Sequence, residues 1–507
     1  MNRHDIFLIC LAGAGLILAF PPLPFGFVAT VVLIPFFFFL RDKRLSSVLT
    51  GGYLIGLIWG SGTIYWIGWA TIGGLFGALL IFASYFCLFS LVQFFLVQLW
   101  GEKSLLAAPF LWTGIEMLSS LGPMGFPWNL MAHTQSYYLT MIQYADLFGV
   151  YAVSFWVVSM NVIIYFIIIH LKKRQLVQKW ILCLVFFVLV PLGYGQYKLT
   201  RPLDNDPKIN VSLVQGNIDP YQKWDAGFLD SNFSVYARLT RQAFASDPEL
   251  IIWPETATAC YIRYRVPYFQ KIKLQVDSMN VPLLTGTQDF EWINKDKLNR
   301  YNSAFLIRPN HWQVDRYHKI HPVPFSERVP LGDTFPFWYN FLDKVLDLSV
   351  GNYAVGDSIV VFQFIPKSLK KPVRFSVVIC YESVFPYLVR KFIRQGAQFL
   401  VIITNDGWFG KTSGPFQHAR IAVFRAIENR IWIARCANTG ISAFIDPYGR
   451  TYNVSNIYQE AVINSFISVK KQVTFFTKCG FVFPWFVGIM DGLLLLLAVY
   501  SRGFHRR

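Results

Sequence analysis

Apolar positions crowd the first two hundred residues and the last thirty of this chain, and thin out between them. Runs long enough to span a bilayer, about 20 residues each, fall near 5–21, 26–40, 49–71, 75–100, 104–120, 149–169, 180–197 and 477–500. Glu116 interrupts the fifth. PPLPFG follows the first, a Pro-rich turn that ends a helix. That first run has only Arg3 as a basic flank and no small-residue cleavage site, so it reads as a retained helix, not a signal peptide. Residues 205–470 keep another rhythm. KINVSLVQGN, ELIIWPE, VPLLTGT, RFSVVIC and QFLVIIT are β-branched runs that predict strands. Amphipathic stretches at 227–246, 384–395 and 416–430 predict helices. Such alternation implies a layered α/β domain, large enough for one independent core.

Composition agrees with this division. Hydrophobic residues make up 54% of the 507 positions and charged residues only 15%, which argues against a wholly soluble protein. A formal net charge of +17 fits either nucleic acid or a membrane. The membrane is favoured, because basic clusters flank apolar runs: Arg41, Lys43 and Arg44 after the second, Lys172, Lys173, Arg174 and Lys179 after the sixth, and Arg502, Arg506 and Arg507 after the last. The loops after the first and third runs carry no Lys or Arg. Basic loops stay in the cytoplasm. Eight spans then put both termini inside and segment 198–476 outside. The expected organisation is a membrane domain of seven helices over 1–200, an external domain over 201–474, and a final helix with a cytoplasmic tail over 475–507.

The seven cysteines show no CxxC or other metal-ligand spacing, so no zinc site is expected. Outside the cell thiols tend to pair. Cys260, Cys380 and Cys436 are three, so at least one is expected free unless it pairs with another chain or with Cys479.

Three strand ends carry residues suited to chemistry: Glu255 in IIWPE, Lys319 and Glu327 in RYHKIHPVPFSERVP, and Cys380 in VVICYES. A thiol nucleophile needs a base and a donor for the oxyanion of a tetrahedral intermediate. Glu255 can take the proton, Lys319 can lower the thiol pKa and stabilise the oxyanion, and backbone N–H groups after Cys380 can add donors. Each residue also has a plain reading: a buried small hydrophobe for Cys380, a strand end for Glu255, a solvated lysine for Lys319. His318 and His321 suggest a Cys–His pair or a metal site, but the prolines around them indicate a loop and no further ligand pattern appears.

Taken in order, WPE, K-x-x-x-V-P-F-x-E and CYE resemble the nitrilase superfamily, over roughly 209–470, together with LVQGNI, TNDGWFG, GPFQHARIAVFRAIENR and RCANTGISAFIDPYGR. The resemblance implies an αββα sandwich with Glu255 as general base, Lys319 as oxyanion-stabilising lysine and Cys380 as nucleophile. With its flanking apolar runs the chain is similar to the apolipoprotein N-acyltransferase family, the membrane-embedded branch. N-I-x-x-x-x-K-W ending at Trp224, VPFSERVP and CYE carry that likeness. It implies supporting roles for Glu327, Glu382 and Tyr381, and substrate-side or lid roles for Trp224, Asn405, Trp408, Phe409 and Gly410. Ser326 stands where the family commonly has glycine.

The reaction so implied moves an acyl chain from a phospholipid, at sn-1 of phosphatidylethanolamine, to Cys380 as a thioester. The chain then passes to the N-terminal amine of a diacylglyceryl-cysteine apolipoprotein. No cofactor or metal is expected, and no nucleic-acid partner. The protein is expected to be a monomer in the bacterial inner membrane, its catalytic domain facing the periplasm. MGFPWNLMAHTQSYYL (124–139) is a candidate lipid entrance or an interfacial aromatic belt. Two other readings stand beside this one. A membrane-tethered nitrilase-type amidase would share the three residues but needs only one helix. A transporter or scaffold would carry intramembrane charges, and apart from Glu116 the runs are nearly free of them.

Overall fold

The computed structural model describes residues 1–202, 206–295, 298–332, 334–335, 337, 352–469, 473–480 and 482–504; Arg506 and Arg507 of the basic tail lie outside them. The chain divides into two compact units: Met1–Arg201 with Cys479–Arg507, and Pro202–Lys478.

The first unit is helical. Its longer helices are Arg3–Ala19, Leu45–Thr63, Ile72–Trp100, Ala108–Leu118, Val150–Lys172, Gln178–Leu199 and Val482–Phe504. Among the described residues, three runs are long and apolar enough to cross a membrane: Ile72–Leu118, Val150–Lys172 and Gln178–Leu199. The run expected at 26–40 is not one helix. It forms a 3-10 turn over Gly26–Thr30 and a short helix Ile34–Phe39. Pro35 lies in the first turn of that helix, where its missing N–H costs nothing but cannot extend a helix from before it. Near position 100 the chain changes course at Gly101, with φ +61, and runs as a 3-10 segment Gly101–Ala107 into Ala108–Leu118. Small residues set the helix spacing: a Cβ on Gly56 would lie 2.6 Å from Ala83 Cα, the close approach that membrane helices use. Trp59, Phe86, Phe89 and Trp112 then interlock edge to face, with centroids 4.8–5.3 Å apart in three of their pairs.

Among its described residues the second unit holds two six-stranded sheets. Strands are β1 (Lys208–Gln215), β2 (Leu250–Ile252), β3 (Leu283–Trp292), β4 (Leu298–Ile307), β5 (Asp315–His318), β6 (Phe362–Phe364), β7 (Val373–Ile379), β8 (Phe399–Thr404), β9 (Trp432–Ala437), β10 (Ala443–Ile445), β11 (Thr451–Tyr452) and β12 (Ala461–Ser468). One sheet runs β12-β1-β2-β3-β4-β5, the other β11-β10-β9-β8-β7-β6. Parallel pairs occupy the centre of each: β1–β2–β3 and β7–β8–β9. Parallel central strands are covered on both faces, and β7 and β8 are buried almost throughout. Helices Leu229–Phe244 and Val266–Met279 share a core with the first sheet through Phe233, Tyr236, Ile272, Val276, Trp253 and Phe305. Helices Pro386–Arg394 and Gly414–Asn429 pack on the second. β1 lies against β9 across the interior. The layers are therefore αββα, and all five expected strands and three expected helices are present with ends shifted by a few residues.

Candidate active site

Parallel strands put their carboxyl ends on one side of a sheet, and the loops leaving β2, β7 and β8 gather there. Glu255 follows β2, Cys380 follows β7 and Asn405 follows β8; Lys319 directly follows β5. All four are buried, Cys380 at 8% exposure and Lys319 at 2%.

The centre is an ion cluster. Lys319 Nζ lies 2.8 Å from Glu327 Oε2 and 3.6 Å from Glu255 Oε1. Asn302 Nδ2 on β4 donates to both carboxylates, at 2.8 Å to Glu255 and 2.9 Å to Glu327. The backbone N–H of Asn405 donates to the other Glu255 oxygen at 2.8 Å. Glu327 is fixed in turn by Val323 N–H at 2.7 Å. Burial alone would lower the Lys319 pKa, but the charges of Glu327 and Glu255 outweigh it, and the ammonium is held well above its ordinary range. Burial and the charges of Glu255 and Asp406 push the Cys380 thiol well up, against the pull of Lys319 and a hydrogen bond from Thr404.

Cys380 ends β7 in the left-handed region, φ +52. Non-glycine residues rarely sit there, and strain of this kind collects at functional sites where the surroundings impose it. Two networks impose it here. Glu382 accepts from Tyr317 Oη at 2.7 Å, Ile320 N at 2.6 Å and His321 N at 3.1 Å on one oxygen, and from Ile379 N at 2.7 Å on the other. It therefore ties the turn after β7 to the segment that carries Lys319. On the other side Ser383 Oγ donates to Cys380 O at 2.8 Å. His418 Nε2 lies 2.9 Å from Ser383 Oγ and 3.2 Å from Cys380 O, and its Nδ1 lies 2.8 Å from Asp406 Oδ1. Arg435 Nη2 pairs with Asp406 at 2.8 Å. Burial raises the Asp406 carboxyl, but Arg435 and His418 overcome it and hold it far below the usual carboxylate range.

Ligating atoms of Cys380, Asp406 and His418 lie within 4.8 Å of one another, as a metal site would require. Both His418 nitrogens and both Asp406 oxygens are, however, engaged by Ser383, Thr404, Arg435 and each other. The cluster works as a hydrogen-bonded brace for the turn after β7.

The remaining expected residues fall around this centre. Tyr381 is buried, its ring 5.1 Å from Phe385. Trp224 is 39% exposed. Trp408, Phe409 and Gly410 are half-buried on the turn after β8, with Trp408 stacked edge-on against Tyr221 at 5.2 Å. Asn438 binds Asn405 and the backbone of Ile218, linking the two aromatic loops. His318 faces Ser303 and His321 stacks on Phe385, so neither histidine beside Lys319 meets the thiol. All seven cysteines are free. Cys436 donates to Val214 O and Ile252 O between the sheets, a core position.

Sequence reasoning overlooked Asn302, Lys223, His418 and Arg435. Lys223 sits within N-I-x-x-x-x-K-W, and His418 within GPFQHAR, so their motifs were visible without their roles. Asn302 gave no signal beyond a polar residue in an apolar strand.

Residues 210–464 match the family model for carbon-nitrogen hydrolases, and residues 12–163 match that of the apolipoprotein N-acyltransferase N-terminal domain. The chain is 33% identical to an apolipoprotein N-acyltransferase from Geobacter metallireducens, covering 100% of this chain and 97% of the relative. It is 34% identical to one from Chlorobaculum tepidum, covering 98% and 97%. Among solved structures, Saccharomyces cerevisiae Nit3, of branch 10 of the nitrilase superfamily, aligns with a TM-score of 0.37 at 19% identity, over 52% of this chain and 90% of that one.

Proposed function

The chain belongs to the apolipoprotein N-acyltransferase family, and we propose that Glu255, Lys319 and Cys380 carry its acyl transfer through a thioester. The observation that supports this most is the ammonium of Lys319 between two carboxylates, its charge acting on the Cys380 thiol at a strand end. Cys380 Sγ attacks an ester carbonyl of a phospholipid, phosphatidylethanolamine at sn-1, while Glu255 takes the thiol proton. Lys319 donates to the oxyanion, and Asn405, whose buried Nδ2 has no acceptor among the described residues, offers a further N–H. The tetrahedral intermediate collapses, the ester oxygen leaves with the proton returned by Glu255, and a thioester remains. The α-amine of a diacylglyceryl-cysteine apolipoprotein then attacks it. Glu255 accepts the amine proton and returns it to the departing sulfur. A thioester is a better acyl donor to an amine than an ester is, so the covalent intermediate divides one slow step into two faster ones.

Both substrates keep their chains in the bilayer, at about 0.8 kcal/mol per buried CH₂, so the reaction belongs at a membrane surface. On this reading about eight helices span the bacterial inner membrane, over 1–200 and 475–507. The α/β unit over 201–474 faces the periplasm, and the protein works as a monomer without cofactor. The half-exposed aromatics of the loops carrying Trp224 and Trp408, with the Glu327 loop, form the lid that keeps water from the thioester.

Intact-mass spectrometry after incubation with phosphatidylethanolamine tests the reading. Wild-type protein should gain a hydroxylamine-labile acyl adduct that acceptor peptide discharges, and a Cys380→Ala variant should not. Lysophospholipid from both proteins without adduct would sink the thioester mechanism, and ammonia from small amides without lysophospholipid would favour a tethered amidase.

A further inference from the structure

Glu255 stands on a turn that the chain does not favour by itself. The next residue, Thr256, has φ +47. A β-branched residue there crowds its own backbone and is a genuine outlier, so its surroundings must impose it. Two neighbours do. On one side β3 approaches so closely at Gly286 that a Cβ there would lie 2.5 Å from Pro254 O and 2.6 Å from Glu255 Cα. On the other side is Lys223. Its ammonium donates to Thr256 O at 3.2 Å and to Thr256 Oγ1. One cation thus binds both oxygens of the strained residue.

Lys223 is an unusual residue to find here. It is 3% exposed, and buried lysines are rare unless paired. No carboxylate among the described residues comes within ion-pair distance of it, while Glu255 is the carboxylate whose charge acts on it. Burial lowers the pKa of its ammonium and Glu255 opposes that fall, which leaves it at about 8. The main chain fixes it as well: Lys223 N–H donates to Asp219 O at 3.1 Å, and Asn232 Nδ2 donates to Lys223 O at 3.2 Å. Trp224 follows, partly exposed, with the Lys223 ammonium 5.1 Å from its ring. The segment that exposes the Trp224 ring is therefore the one that grips the turn carrying Glu255.

We propose that Lys223 is a positioning residue for Glu255, clamping the Pro254–Glu255–Thr256 turn so that this carboxylate stays aimed. The proposal rests on Glu255 as general base. The other groups around that carboxylate are Lys319, shared with Glu327; the Cys380 thiol; the Asn302 and Asn405 donors; and Tyr353, whose hydroxyl feels both glutamates.

The test is single-turnover acylation of the full chain by a concentration series of phosphatidylethanolamine, followed by intact mass. The proteins are wild type, Lys223→Met, Lys223→Arg, Thr256→Asn and the Lys223→Met/Thr256→Asn pair. Lys223→Met removes both donors to Thr256 and leaves the strained turn held from one side. It should slow acylation on the order of 100-fold, as misplacement of a catalytic group does, with little change in the half-saturating lipid concentration. Lys223→Arg keeps a donor for Thr256 and should recover most of the rate. Asparagine tolerates the left-handed turn, so the Lys223→Met loss should shrink in the Thr256→Asn background. An equal loss in both backgrounds, with no recovery in Lys223→Arg, would make Lys223 mere packing. If Lys223→Met does not fold, a folded Lys223→Arg slowed on the order of 100-fold would overturn the proposal, and one near the wild-type rate would support it. A wild type that forms no adduct would overturn the acyl-transfer reading instead.

Discussion

Cys380, Glu382 and Asp406 show how much of this site is support for one sulfur atom. Glu382 is an acceptor for four donors at once. A glutamine there would turn one acceptor into a donor facing a donor. Glu382→Gln should cost about 1–3 kcal/mol of stability and slow acylation on the order of 100-fold, measurable by thermal unfolding and by the rate of adduct formation. Asp406→Asn removes the counter-charge of buried Arg435, a break worth about 3–5 kcal/mol. The sign with pH follows from its lowered pKa: the wild-type carboxylate stabilises the fold fully above the ordinary carboxylate range and loses that advantage as pH falls below that range and through its own lower pKa. The stability gap between wild type and Asp406→Asn should therefore be full at neutral pH and narrow in acid. A gap that stays constant down to strongly acidic pH would mean that the Asp406 charge is not what holds the brace.

At the scale of elements, the site is made by strand ends and by the close approach of β3 to the turn after β2. Gly286 has no substitute at that crossing, because any Cβ would strike Pro254 O, Glu255 Cα and Thr256 N. Gly286→Ala should displace the turn and lower acylation about 100-fold while the sheets survive, since β3 pairs with β4 along ten residues, of which Gly286 is one. Circular dichroism beside single-turnover rates separates the two. A variant with the wild-type rate would mean that the turn yields freely and Glu255 needs no such clamp.

At the scale of the whole molecule, the topology makes its own prediction. The hairpin between β3 and β4 exposes Ile293 at 55%, next to Trp292 at 62%. An Ile293→Cys label site should react with a membrane-impermeant maleimide in intact spheroplasts, in a background without Cys10, Cys183 and Cys479, the exposed native thiols. Reaction only after permeabilisation would place the α/β unit on the cytoplasmic side and undo the assignment of basic loops.

The sequence alone determined the division between apolar and α/β segments, because periodicity and composition are local properties that burial imposes residue by residue. It also determined the five strands, the three helices and the residues at the strand ends, since β-branched runs stop where the chain must turn. Helix ends in the apolar part were less legible: Pro35 and Gly101 redirect the chain inside runs that hydropathy reads as continuous or separate. Only the tertiary structure decided that Glu255, Lys319 and Glu327 share one ion cluster, because their meeting depends on strand order in a sheet and not on spacing along the chain. It alone found Asn302 between the two carboxylates and Lys223 under Thr256. A polar residue in the sequence has no address, and its role is set by which buried donor or acceptor the fold brings to meet it.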